Sequence, residues 1–176
     1  RAHPPKILGM INYKKINKKE MKIALCSALS ATADEKQIAR RYESIDKIER
    51  APYIVEGKFV GLKTKQILES LKKIFGEKLF NIAVKKREIR AGRGKLRGRK
   101  YKTNAGILLV TGNDEKLKTG FFEIKNVNNV NVSDLAKGGP GRLTMYTENA
   151  IKELAERFTS SSKSQTNDLN KKMEKK

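Results

Sequence analysis

The sequence predicts an α/β domain with a parallel sheet and helices on both faces. Three observations lead there. Short apolar runs bounded by glycine or proline recur along the chain, and amphipathic helical stretches separate them. The best of the runs, Gly106–Gly112, is continuous rather than alternating, as in a strand covered on both sides.

The elements follow in order. Residues 1–16 contain Pro4-Pro5 and Gly9 without periodicity and read as an extended basic arm. Asn17 with Glu20 resembles a capping box, so a helix should run from there to about Ala33 through good helix formers. Residues 34–50 are mixed and charged, with room for a short second helical turn. Pro52-Tyr53-Ile54-Val55, ending at Gly57, is a short strand. Thr64 opens a helix whose stripe is Ile67, Leu68, Leu71, Ile74 and Phe75, with Gly76 as its stop and another short helix within 77–88. Residues 115–125 fit helix and strand equally, and Val127–Val132 reads as a weak, Asn-rich strand. The turn Gly138-Gly139-Pro140-Gly141 leads to a strand over Leu143–Tyr146. Thr147 then caps an amphipathic helix carrying Ala150, Ile151, Leu154, Ala155 and Phe158. The expected organisation is an arm over 1–16, a globular domain over 17–158 with a basic loop at 85–102, and a disordered polar, basic tail over 159–176.

Charge narrows the function. The 176 residues hold 40 Lys+Arg against 19 Asp+Glu, a formal +21. Residues 1–22 carry +6, residues 85–102 carry +9 and residues 163–176 carry +3, which leaves +3 on the other 122. A nearly neutral body thus bears three basic segments, and a polyanion is the natural partner. No apolar run reaches the roughly 18–20 residues of a membrane span, and no signal peptide is visible. One cysteine, Cys26, and one histidine, His3, exclude an intramolecular disulfide and a standard Cys/His zinc site. Cys26 is expected as a small core residue of its helix. The chain is expected to be cytosolic, without cofactor or metal. It begins with Arg1, and a segment ahead of it is expected.

The chemistry concentrates in Lys85-Lys86-Arg87-Glu88-Ile89-Arg90-Ala91-Gly92-Arg93-Gly94-Lys95-Leu96-Arg97-Gly98-Arg99-Lys100-Tyr101-Lys102. After Glu88 the next acid is Asp114, so these cations cannot form the i,i+4 pairs of a solvated helix face. Gly92, Gly94 and Gly98 disfavour a helix and let backbone approach phosphate. Arginine supplies a planar fork for phosphate or a surface for bases. The expectation is a loop shaped by its ligand. Tyr101 either stacks on a base or anchors the loop. The spacing is neither GxGxxG nor GxxxxGK[ST], and it precedes the best strand, which argues against a nucleotide cofactor. The turn at 138–141 is either a plain turn or one whose amides, with Arg142, touch phosphate. His3 has no acid–base partner nearby and suits RNA or protein contact. No nucleophile–base pair stands out. An enzyme acting on nucleic acid and a DNA-binding regulator are the alternatives, and neither finds its catalytic constellation or recognition helix here.

Residues Arg90 to Tyr101 resemble the signature of the universal large-subunit ribosomal protein four family, in its archaeal and eukaryotic branch. Three further segments agree in order. Arg1-Ala2-His3-Pro4-Pro5 is similar to the returning limb of the family's long internal loop, and Lys18–Ala33 to the helix after it. Gly138 to Glu148 is similar to its glycine turn, last strand and helix start. The resemblance covers residues 1 to about 158. It implies a three-layer α/β/α body around a four-stranded parallel sheet, plus the basic arm and loop. It also implies a non-enzymatic role: binding large-subunit ribosomal RNA, supporting assembly and contributing to the polypeptide exit tunnel wall. Neighbouring large-subunit proteins would be partners, as would a separate or missing N-terminal segment that the family carries ahead of Arg1. The stretch from Asn126 to Gly139 is shorter than in typical relatives. The residues assigned to RNA are Arg1, His3, Lys6, Lys14, Lys15, Lys85, Lys86, Arg87, Arg90, Gly92, Arg93, Gly94, Lys95, Arg97, Gly98, Arg99, Lys100, Tyr101, Lys102 and Arg142.

Overall fold

The computed structural model describes residues 15–42 and 51–159. The tail lies outside them except for Thr159, and the arm except for Lys15 and Ile16. Asn17 starts the first helix, its side chain accepting from the Lys19 amide at 3.1 Å. Helix α1 then spans Lys18–Ala33 and α2 spans Glu35–Arg41. Strand β1 (Tyr53–Val55) leads through a 3-10 turn (Gly57–Gly61) to α3 (Thr64–Ala83). A small antiparallel pair follows, β2 (Arg87–Ile89) and β3 (Tyr101–Thr103). The remaining elements are β4 (Leu108–Thr111), β5 (Glu123–Asn126), α4 (Val132–Leu135), β6 (Thr144–Thr147) and helix α5 over 148–159.

The main sheet has four parallel strands in the order β1-β6-β4-β5. This is the α/β sheet expected, and strand alternation explains its two cores. One side carries Val55, Leu109 and Met145 against Ile38 of α2 and Ile67, Leu71 and Phe75 of α3. The other carries Leu108, Val110 and Tyr146 against α1, α4 and α5. Helices on both faces make the three layers.

Two expectations need correction. The weak strand over Val127–Val132 is not there. The fourth strand is Glu123–Asn126, and Val127–Asn129 is a 3-10 turn that drops Val127 and Val130 into the second core. Apolar spacing in that segment reflects a turn facing the core, not pleat alternation. Gly76 stops the first helical stretch of α3 as expected: it takes a non-helical φ of 68° and ψ of 174°, and a second short stretch runs from there to Ala83, with Leu79 and Phe80 against the core. Cys26 is exposed, because Leu25 and Ala28 form the inward face of α1.

Candidate nucleic-acid interface

The basic segment folds into a hairpin rather than an open loop. Arg87, Glu88 and Ile89 pair with Thr103, Lys102 and Tyr101, and the Arg90 amide extends the ladder to the Lys100 carbonyl at 2.8 Å. A 3-10 turn over Arg93–Leu96 closes the tip. The Gly94 carbonyl accepts from the amides of Arg97 (3.1 Å) and Arg99 (3.0 Å), and Gly98 supplies φ +76°. Of the glycines that disfavour a helix, Gly98 supplies the left-handed turn of the tip, and Gly94 leaves room for the Arg90 side chain.

Alternation gives the hairpin two faces. Arg87, Ile89, Tyr101 and Thr103 share one. There the Arg87 guanidinium carbon sits 3.7 Å from the Tyr101 ring centroid, while Ile89 remains exposed. Glu88 and Lys102 share the other, 3.2 Å apart. Leu96 at the tip is 82% exposed among its cationic neighbours.

Of the ten cations in 85–102, Lys102 pairs with Glu88, and the half-buried Lys85 lies 3.7 Å from Glu123. The other eight, namely Lys86, Arg87, Arg90, Arg93, Lys95, Arg97, Arg99 and Lys100, are exposed and have no acidic partner among the described residues. Gly92 and Gly98 are also exposed, and Gly94 is half-buried between the side chains of Arg90 and Arg99. Of the arm residues, Lys15 is exposed. Arg1, His3, Lys6 and Lys14 lie outside the described residues.

Arg142 belongs to a different structure from the one expected. It is fully buried. Its Nε donates to the Gly106 carbonyl at 3.2 Å, Nη1 to Asp134 O at 2.7 Å, and Nη2 to Ala105 O at 2.8 Å and to Glu123 Oε2 at 2.9 Å. Four of its five N–H donors are engaged inside the fold, and its full burial keeps the group from an external phosphate. It mounts the hairpin instead, holding the chain that leaves β3 to the glycine turn and to β5. Asn104 clamps the other limb. Its Nδ2 donates to the carbonyls of Ile82 (3.3 Å) and Val84 (3.0 Å), and its Oδ1 accepts from the Lys86 amide at 2.6 Å.

Glu123 is the counter-charge at this mount. It accepts from Lys137 Nζ at 2.5 Å as well as from Arg142. Burial alone would raise its pKa, but the hydrogen bonds and charges of Lys137 and Arg142 outweigh that and hold it below the usual carboxylate value. Sequence reading passed over Glu123 and Asn104 because both act through fold contacts that no local spacing announces. It also passed over Arg40 and Arg41, whose doublet was diluted by nearby acids.

The two ends of the sheet differ in charge. The hairpin base, Arg142 and Lys137 stand at the amino ends of the strands. The carboxyl ends, where parallel α/β sheets commonly hold ligands, carry Glu115 and Glu153. Glu115 Oε2 accepts from the Gly112 amide (2.9 Å) and Thr147 Oγ1 (2.6 Å), and Oε1 accepts from Asn149 Nδ2 (3.0 Å). Glu153 accepts from the Asn113 amide at 3.1 Å. Those carboxylates are occupied in the fold. Among the described residues no group of three or more His, Cys, Asp or Glu could hold a metal, and no helix is long and apolar enough to cross a membrane.

The chain is 38% identical to the large ribosomal subunit protein uL4 of Methanosphaera stadtmanae over 165 residues, 90% of this chain and 63% of that protein. It is 38% identical to the uL4 of Halorubrum lacusprofundi (89% of this chain, 64% of that protein) and 39% identical to that of Haloquadratum walsbyi (89% and 65%). The chain therefore spans just under two thirds of the length of these archaeal relatives. The sequence model of the ribosomal protein L4/L1 family matches residues 1–157. By that match the chain belongs to the ribosomal protein L4/L1 family.

Proposed function

We propose that the chain is a structural, non-catalytic component of the large ribosomal subunit in the cytoplasm, and that its hairpin grips ribosomal RNA. The observation that carries the reading is the hairpin's eight exposed cations, for which the described residues offer no acidic partner. Arg93, Lys95, Arg97, Arg99 and Lys100 hold phosphates at the tip, with Gly92, Gly94 and Gly98 permitting close approach. Arg87 brackets Tyr101 and orients its ring toward RNA. The charge of residues 1–22 supports a second role for the arm 1–16, threading RNA toward the exit tunnel wall, with Lys6, Lys14 and Lys15 as its cations. The relatives are named as large-subunit proteins, which supports ribosomal RNA and neighbouring subunit proteins as partners.

The test is equilibrium binding of the full chain to transcribed large-subunit ribosomal RNA at several salt concentrations. Each neutralised phosphate contributes a slope of about −0.7 to −0.9 in log K against log salt. Replacing Arg93 and Arg97 together by Gln should flatten the slope by roughly 1.4–1.8. An unchanged slope and affinity would remove the hairpin from the interface.

A further inference from the structure

The role proposed above places RNA on the hairpin and the arm. A second cationic recess stands at the same end of the sheet. It is a hollow of about 390 Å³ formed by Gln37, Arg40 and Arg41 of α2 against Gly138, Gly139 and Pro140. Its walls are fixed by close contact. Gly141 takes φ +77°, and a Cβ there would stand 2.6 Å from the Gln37 carbonyl oxygen, so backbone meets backbone. Arg41 Nη1 donates to the Gly139 carbonyl at 2.7 Å, and Nη2 donates to the Lys137 carbonyl.

Two arginines line the recess. Neither Arg40 nor Arg41 forms an ion pair with an acid among the described residues. Burial lowers the pKa of Arg41; Tyr42 opposes this, and the charge of Arg142 adds to it, so two guanidiniums repel each other behind the hollow. Arg41 is committed to carbonyls, whereas Arg40 is exposed and its side chain makes no hydrogen bond among the described residues. The facing wall is glycine backbone at φ +86° and +126°, with no side chain to hold a ligand away.

We propose that this hollow is a second RNA contact, in which Arg40 seats one backbone phosphate against the turn at Gly138 and Gly139. A phosphodiester matches an arginine fork in a recess with a side-chain-free wall. Continuity with the hairpin favours RNA over an acidic protein segment. Arg142, next to Gly141, donates to the Ala105 and Gly106 carbonyls at the hairpin base, so one strand of RNA lying across the amino end of the sheet meets both. The proposal rests on the ribosomal RNA reading.

The experiment compares the full chain with Arg40→Gln, Arg40→Lys and the double Arg93→Gln/Arg97→Gln variant, using transcribed large-subunit ribosomal RNA as probe. Arg40→Gln should weaken binding several-fold and flatten the salt slope by about 0.7–0.9, the value of one phosphate. Its melting temperature should not change, because Arg40 is exposed. Arg40→Lys should restore the slope. Wild-type affinity and slope in Arg40→Gln, with the hairpin double weakened, would overturn this site alone and leave the hollow to a protein partner. Failure of the unsubstituted chain to bind would overturn both readings.

Discussion

Replacing Arg142 by Ala separates a mounting arginine from a gripping one. The side chain is fully buried and makes four hydrogen bonds, three to carbonyls of Ala105, Gly106 and Asp134 and one to Glu123. Truncation leaves those carbonyls without their donor and Glu123 without its buried cation. Removing one partner of a buried pair typically costs about 3–5 kcal/mol. Each orphaned carbonyl could add about 1–3 kcal/mol, an upper figure because water enters the space left by the side chain. A loss of about 4 kcal/mol is the working value. For a fold of about 140 residues the unfolding entropy is roughly 0.3 kcal/mol/K, so the melting temperature should fall by about 10–15 °C. Arg93→Ala is the contrast. Arg93 is exposed at the hairpin tip, so its loss should leave melting within about 1–2 °C of wild type while flattening the salt slope of RNA binding. Differential scanning fluorimetry on both variants decides. Wild-type melting in Arg142→Ala, with weakened RNA binding, would refute the assignment and return Arg142 to the interface.

Other outcomes follow from the same structure. Gly141→Ala should destabilise the chain by at least about 2 kcal/mol in urea titration, since it combines a left-handed φ with a backbone clash against Gln37. Glu123 has a lowered folded pKa, so its contribution is complete above about pH 4.5 and is lost as pH falls through the folded value. Urea midpoints should therefore drop less between pH 6 and pH 3 in Glu123→Gln than in wild type; equal drops would contradict the network. Leu71→Ala removes a fully buried side chain of α3 and should cost about 2–5 kcal/mol without altering the salt slope per phosphate. Cys26, the one cysteine of the sequence, is exposed and should react fully with a thiol reagent in the folded chain, whereas a core thiol would be protected.

The sheet was legible where local and global signals agree. Leu108–Thr111 is buried on both sides, so its apolar run survives translation into structure unchanged. Helix α1 begins and ends where its caps and composition put it. The strand at Glu123–Asn126 was not legible because it is half-buried and polar, and Glu123 and Lys125 are there to make ion pairs. The density of the basic segment marked it at once. Its hairpin geometry did not show, since glycine spacing distinguishes a turn from a helix but not a closed tip from an open loop. Arg142 stood in a glycine-rich turn and read as a surface cation. Only the packing of Gly106, Asp134 and Glu123 around it reveals a buried role.

The central claim is that the hairpin grips RNA through its unpaired cations. A structure of the assembled large subunit containing this chain tests it directly. The account predicts phosphate oxygens within hydrogen-bonding distance of Arg93, Lys95, Arg97 and Arg99. A hairpin standing in solvent, or packed against protein alone, would contradict it.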